Sequence, residues 1–126
     1  MKKYNKAVIV DDDADLCAMM KSVLKPMISD IQCAYTIETG KVLVSKSKPD
    51  LVFVDNNLPD GKGADLVKII KGVSPSSLVI FITAVGNIAK DKAIMNGADA
   101  YIEKPLTYSA IMKALGYTES RTGQLS

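Results

Sequence analysis

Residues 7–16 read AVIVDDDADL. Ala7 to Val10 form an apolar run of the kind that fills a buried strand, and Asp11, Asp12 and Asp13 follow with no cation between them. Carboxylates at this spacing repel one another, and the repulsion grows where water is partly excluded. Three negative charges at the mouth of a core strand call for a reason, and the rest of the chain supplies one.

Outward from that strand, apolar runs recur at 51–54 (LVFV), 78–82 (LVIFI) and 100–102 (AYI). They are nearly continuous in apolar residues and rich in β-branched types, which suits parallel strands covered on both faces. The stretch 31–35 (IQCAY) alternates and reads as a weaker, edge strand. Segments of helical period lie between the runs. Residues 14–25 place Leu16, Met19, Met20, Val23 and Leu24 at helical spacing and stop at Pro26. Further helices are predicted over 38–46, over 64–71 ending before Gly72, over 88–96 ending at Gly97, and over 108–115 ending at Gly116. The Met residues and the Ile and Leu stripes read as core. The rhythm is (βα)5, which predicts an α/β fold with an open parallel sheet and helices on both faces.

At 126 residues the chain suits a single domain, and 48% apolar with 24% charged residues is ordinary for a globular protein. The net charge of +2 is small and the 16 basic residues are spread out, with no aromatic-interleaved basic stripe, so direct nucleic-acid binding is not expected. LVIFI is far too short to span a bilayer, and the N-terminus runs straight into the acidic cluster without a cleavable signal. Cys17 and Cys33 show no metal-ligand spacing and read as two reduced, buried thiols. With no His in the chain, its chemistry rests on carboxylates. These features point to a cytoplasmic domain over 1–117 with no membrane partner, and to a polar tail or linker stub over 118–126.

In a sheet of this kind ligands bind outside the carboxyl ends of the strands, near the point where strand order reverses. The residues following the predicted strands are Asp11 and Asp12, Asp55, Thr83 and Lys104. Three carboxylates, a hydroxyl and an ammonium therefore share one rim. An acidic first loop in place of a glycine-rich cradle argues against a bare nucleotide phosphate. A hard divalent cation fits better: Mg2+ takes oxygen ligands, uses one or two carboxylates, keeps several waters and bridges to phosphate. Lys104 would then supply a point charge, and Thr83 a donor, to phosphoryl oxygens. Singly, each residue has a plainer reading: a solvated helix start for the three aspartates, a turn aspartate for Asp55, a strand threonine, a solvated lysine. Their coincidence at one rim favours the site.

The motifs VIVDDD (8–13), PDLVFVDNNLPDGKGADL (49–66), LVIFITA (78–84) and GADAYIEKP (97–105) resemble the receiver domain of two-component response regulators, over roughly residues 5–117. The resemblance implies a doubly wound, flavodoxin-like sheet of strand order 2-1-3-4-5. It implies that Asp55 is the phosphoacceptor, preceding Pro59 and Gly63 at the family's offsets. Asp11 and Asp12 match the acid pair that, with Asp55 and the backbone carbonyl of Asn57, holds Mg2+ or Mn2+; Asp13 lies outside it, by the first turn of a helix. Thr83 matches the switch hydroxyl, Lys104 the phosphate-pairing lysine and Tyr101 the switch aromatic, and a cis peptide is expected between Lys104 and Pro105. Asn57 and Val85 flank the route of attacking water and would tune phosphoryl lifetime. The implied donor is a sensor histidine kinase or a histidine phosphotransfer protein. The implied output is a change at the face of helix four, strand five and helix five, read by an effector the sequence does not identify.

Some positions depart from the family's commoner pattern. Asn56 and Asn57 are polar where many relatives are apolar, Leu106 replaces a Phe, and the last helix looks short, so the output face is smaller or completed by a partner. The chain also suits an N-terminal receiver whose effector lies beyond residue 126. Three rival readings compete with this one: a receiver-like scaffold that is never phosphorylated, a small phosphatase with Asp55 as nucleophile, and a flavodoxin-like cofactor binder. The complete acidic, hydroxyl and lysine set opposes the first. Asn57, where a phosphatase wants an acid, opposes the second. The acidic first loop opposes the third.

Overall fold

In a computed structural model that describes residues 4–86 and 88–117, the main sheet contains β1 (Lys6–Val10), β2 (Asp30–Ala34), β3 (Leu51–Asp55), β4 (Leu78–Thr83) and β5 (Ala100–Glu103). Helices α1 (Ala14–Leu24), α2 (Ile37–Ser47), α3 (Gly63–Val73), α4 (Ala89–Met95) and α5 (Tyr108–Ala114) connect and follow them. The strands run parallel in the order β2-β1-β3-β4-β5. This is the doubly wound order expected, with the alternating stretch at 31–35 forming the edge strand β2.

Successive residues on a strand face opposite sides of the sheet, and here both sides are covered. Ile9, Phe53, Ile80 and Ile82 pack in one core with Met20 and Leu24 of α1 and Ile111 of α5. Val10, Val54, Val79 and Phe81 pack in the other with Val44 of α2, Leu66 and Ile70 of α3 and Ala93 of α4. Burial on two faces explains why these strands read as apolar runs without alternation.

The helix ends follow local chemistry. Asp13 caps α1, its carboxylate accepting from the amides of Asp15 (3.0 Å) and Leu16 (3.2 Å). Thr36 and Thr39 form a capping box at α2, and Asp60 from the β3–α3 loop accepts from the amides of Ile37 and Glu38. Gly97 and Gly116 end the last two helices at φ of 112° and 88°, where glycine carries no Cβ penalty.

Two features differ from the sequence expectation. α3 does not end before Gly72 but runs through it to Val73, because a glycine inside a helix costs only about 1 kcal/mol and the buried Leu66, Val67 and Ile70 outweigh that. A two-residue antiparallel ladder, Asn57–Leu58 against Gly61–Lys62, also closes the β3–α3 loop. Cys17 is buried, Cys33 is half-buried, and both are free thiols. The Lys104–Pro105 peptide is cis. No helix among the described residues is long and apolar enough to cross a membrane. The stretch read as a polar tail, 118–126, lies outside the described residues.

Candidate functional site

Strand order reverses beside β1, and the chain emerging from β1 meets the end of β3 there. Asp11, Asp12 and Asp55 each offer a carboxylate oxygen, and these oxygens lie within 4.8 Å of one another. Asp11 and Asp55 are 1% and 3% exposed, whereas Asp12 is open to solvent. One Asp11 oxygen accepts from the Asp13 amide at 2.9 Å, and the other is buried with no hydrogen-bond partner among the described residues. Burial pushes the Asp11 carboxyl up to about 6, and repulsion from Asp55 and Asp12 adds to this, while the Asp13 amide and Lys104 act in the opposite sense.

An orphaned carboxylate oxygen among three acids is a place for a cation. The donors are all hard oxygens, and the chain has no His, so the set suits Mg2+ or Mn2+ rather than a softer metal. Both Asp55 oxygens are already engaged. The Lys104 ammonium sits 3.0 Å from Oδ1, and the Asn57 amide donates to Oδ2 at 2.9 Å. Burial alone would lower the Lys104 pKa, but the hydrogen bond and charge attraction of Asp55, with Asp11 and Asp12 behind it, outweigh burial and hold it above its ordinary value. The site therefore opposes a fixed ammonium to three carboxylates.

The β3–α3 loop is built to hold Asp55 in place. The Asn56 amide donates to the Ile82 carbonyl at 3.0 Å, and the Gly63 amide donates to the Asn56 carbonyl at 2.8 Å. Gly63 has no room for a side chain, because a Cβ there would overlap the Asp55 carbonyl. The sequence places Gly63 at the family's offset; the close backbone approach is the physical reason a glycine stands there. Asn56 is buried, with its side-chain oxygen unsatisfied among the described residues.

Thr83 ends β4 fully buried, and its hydroxyl has no hydrogen-bond partner among the described residues. Its carbonyl accepts from the Lys104 amide at 2.8 Å, which ties the ends of β4 and β5 together. Tyr101 lies on β5 with 43% of its surface exposed, and Val85 is well exposed in the loop after Thr83. Asp11, Asp12, Asp55 and Lys104 thus form one connected cluster. Asp13 stays out of it as a helix cap, and Tyr101 lies away from it on the strand. The sequence reading missed Lys90 and Glu103: the Lys90 ammonium is 4.8 Å from the Tyr101 ring centre and 3.8 Å from the Glu103 carboxylate. No motif spacing links Lys90 to Glu103, since the contact is made only when α4 packs beside β5.

Comparison with known proteins shows the family and the fold. The response regulator receiver domain family matches residues 7–116. The chain is 34% identical over 102 residues to the response regulator protein PilR of Pseudomonas aeruginosa, a match covering 80% of this chain and 23% of PilR. The chain thus corresponds to about a quarter of that relative's length. Among solved structures, it resembles a two-component response regulator from Clostridium difficile (30% identity, TM-score 0.78, 92% of this chain and 99% of the other). It also resembles a CheY-like receiver domain protein from Methanospirillum hungatei (25% identity, TM-score 0.83, 89% and 90%).

Proposed function

This chain belongs to the response regulator receiver domain family, and on that footing we propose that Asp55 accepts a phosphoryl group from a phosphohistidine. The donor is a sensor histidine kinase or a histidine phosphotransfer protein. The observation that carries this reading is a buried Asp55 with one oxygen on Lys104 and the other on the Asn57 amide, beside an acid pair with an unsatisfied oxygen.

An oxygen of the Asp55 carboxylate attacks phosphorus, the phosphorus–nitrogen bond to the donor imidazole breaks, and the imidazole leaves with the electron pair. Negative charge spreads over the equatorial phosphoryl oxygens, so the protein's work is positioning and neutralisation. Lys104 supplies fixed positive charge, and the Asn57 amide orients the attacking carboxylate. Asp11, Asp12, Asp55 and the Asn57 carbonyl would hold Mg2+ or Mn2+, which supplies further charge neutralisation when bound. Water hydrolyses the acyl phosphate, along a route that Asn57 and Val85 flank and tune.

The Thr83 hydroxyl, buried with no partner among the described residues, donates to a phosphoryl oxygen once one is present, and Tyr101 reorients in response. The readout is the face of α4, β5 and α5, an electrostatic event biasing a two-state element. We read residues 1–117 as a cytoplasmic signalling receiver that promotes its own phosphorylation and dephosphorylation, and not as an enzyme acting on separate substrates. The test is incubation with Mg2+ and a small acyl phosphate, followed by intact-mass measurement. A base-labile phosphoryl adduct is expected, not formed when chelator replaces Mg2+ and absent in Asp55→Ala. Equal labelling of Asp55→Ala overturns the assignment.

A further inference from the structure

Tyr101 is held by a group outside the acidic site, which is itself held by a second. The Lys90 ammonium of α4 lies over its ring at 4.8 Å, within cation–π range. Lys90 also pairs with Glu103, two residues along the same strand, at 3.8 Å. The Glu103 carboxylate in turn accepts from the Gly86 amide at 3.4 Å, in the loop that follows Thr83. One ammonium and one carboxylate therefore connect three parts: the loop after Thr83, the start of α4, and β5 with its tyrosine. Lys90 and Glu103 are each about one-third exposed, so water screens the contacts only partly.

We infer that Lys90 and Glu103 form a latch that holds Tyr101 and the β4–α4 loop in the unphosphorylated arrangement, and so set how tightly the site takes a phosphoryl group. The inference rests on the phosphoacceptor reading above. A pull of Thr83 toward a phosphoryl oxygen displaces the loop that carries Gly86, and a turn of Tyr101 removes its ring from beneath Lys90. Contacts present in only one of two states favour that state, and by linkage they weaken whatever ligand selects the other. Lys90 and Glu103 touch neither the phosphoryl site nor the acid cluster, and they act as positioning residues.

The experiment titrates beryllofluoride, a phosphoryl analogue, into the chain at saturating Mg2+, following amide shifts by NMR, with urea stability measured in parallel. Lys90→Gln and Glu103→Gln are each expected to tighten beryllofluoride about three- to tenfold, the size of one weak coupling. The double variant is expected to gain less than the product of the two, because they share a contact. Lys90→Arg keeps the charge over the ring and is expected to bind close to wild type. A purely structural role would lower stability without tightening the analogue. Lys90→Gln and Glu103→Gln binding at wild-type affinity or weaker overturns the latch, as does Lys90→Arg tightening as much as Lys90→Gln. A wild-type chain that takes no beryllofluoride with Mg2+ overturns the phosphoacceptor reading, and the latch falls with it.

Discussion

Asp11 is a buried acid with one oxygen facing no donor among the described residues, so ionising it in the metal-free protein opposes folding. Its pKa stands at about 6 in the fold against an ordinary 3.8. Between those values the native chain keeps a proton that the unfolded chain has released, so stability falls as pH rises through the window and levels off above it. The contribution is fully present below the unfolded value and amounts to on the order of 3 kcal/mol. Urea unfolding in chelator should show that loss, and Asp11→Asn should remove it, leaving the variant more stable than wild type at neutral pH. The same variant should lose the stabilisation that Mg2+ confers on wild type. Parallel pH profiles for the two chains would contradict the account. Stability and function pull against each other at this residue, as expected of an acid placed for a ligand.

Two glycines of α3 make opposite predictions at the level of the element. Gly63 starts the helix against the Asp55 backbone, so Gly63→Ala must push the loop away and should cost about 1–3 kcal/mol, with weakened Mg2+-dependent labelling of Asp55. Gly72 lies within the helix with open space around its α-carbon, so Gly72→Ala should stabilise by about 0.5–1 kcal/mol and leave labelling alone. Urea midpoints check both, and equal midpoints for the two variants would contradict the packing argument. The pair also shows what a sequence conveys. Gly72 looks like a helix stop because glycine often is one, but the buried Leu66, Val67 and Ile70 on the helix's other face decide otherwise. Gly63 stands at an offset that can be matched, while the overlap that requires a glycine there exists only once β3 and α3 meet. The ladder of Asn57 and Leu58 with Gly61 and Lys62 leaves no trace in the pattern, because two residues carry no period.

For the whole molecule, the parallel sheet was legible because strands buried on both faces appear as apolar runs and the helices between them keep their own period. The acidic rim was legible because strand ends converge in such a sheet, whatever the separation in sequence. The engagement of both Asp55 oxygens and the contacts of Lys90 with Tyr101 and Glu103 were not, since each depends on how α4, β5 and the β3–α3 loop pack together. At the same scale, a cation bound by the folded chain alone should raise stability by about 2.7 kcal/mol at a hundred times its dissociation constant. Calorimetric melts with and without Mg2+ check this, and that gain should vanish in Asp55→Asn and Asp11→Asn. The most direct trial of the central claim is chemical mapping of the phosphoryl group. The chain is treated with Mg2+ and acyl phosphate, the adduct is reduced with borohydride, and the peptides are sequenced. Conversion of residue 55 to homoserine, dependent on Mg2+, is the predicted result; an unmodified Asp55 with the label elsewhere would contradict it.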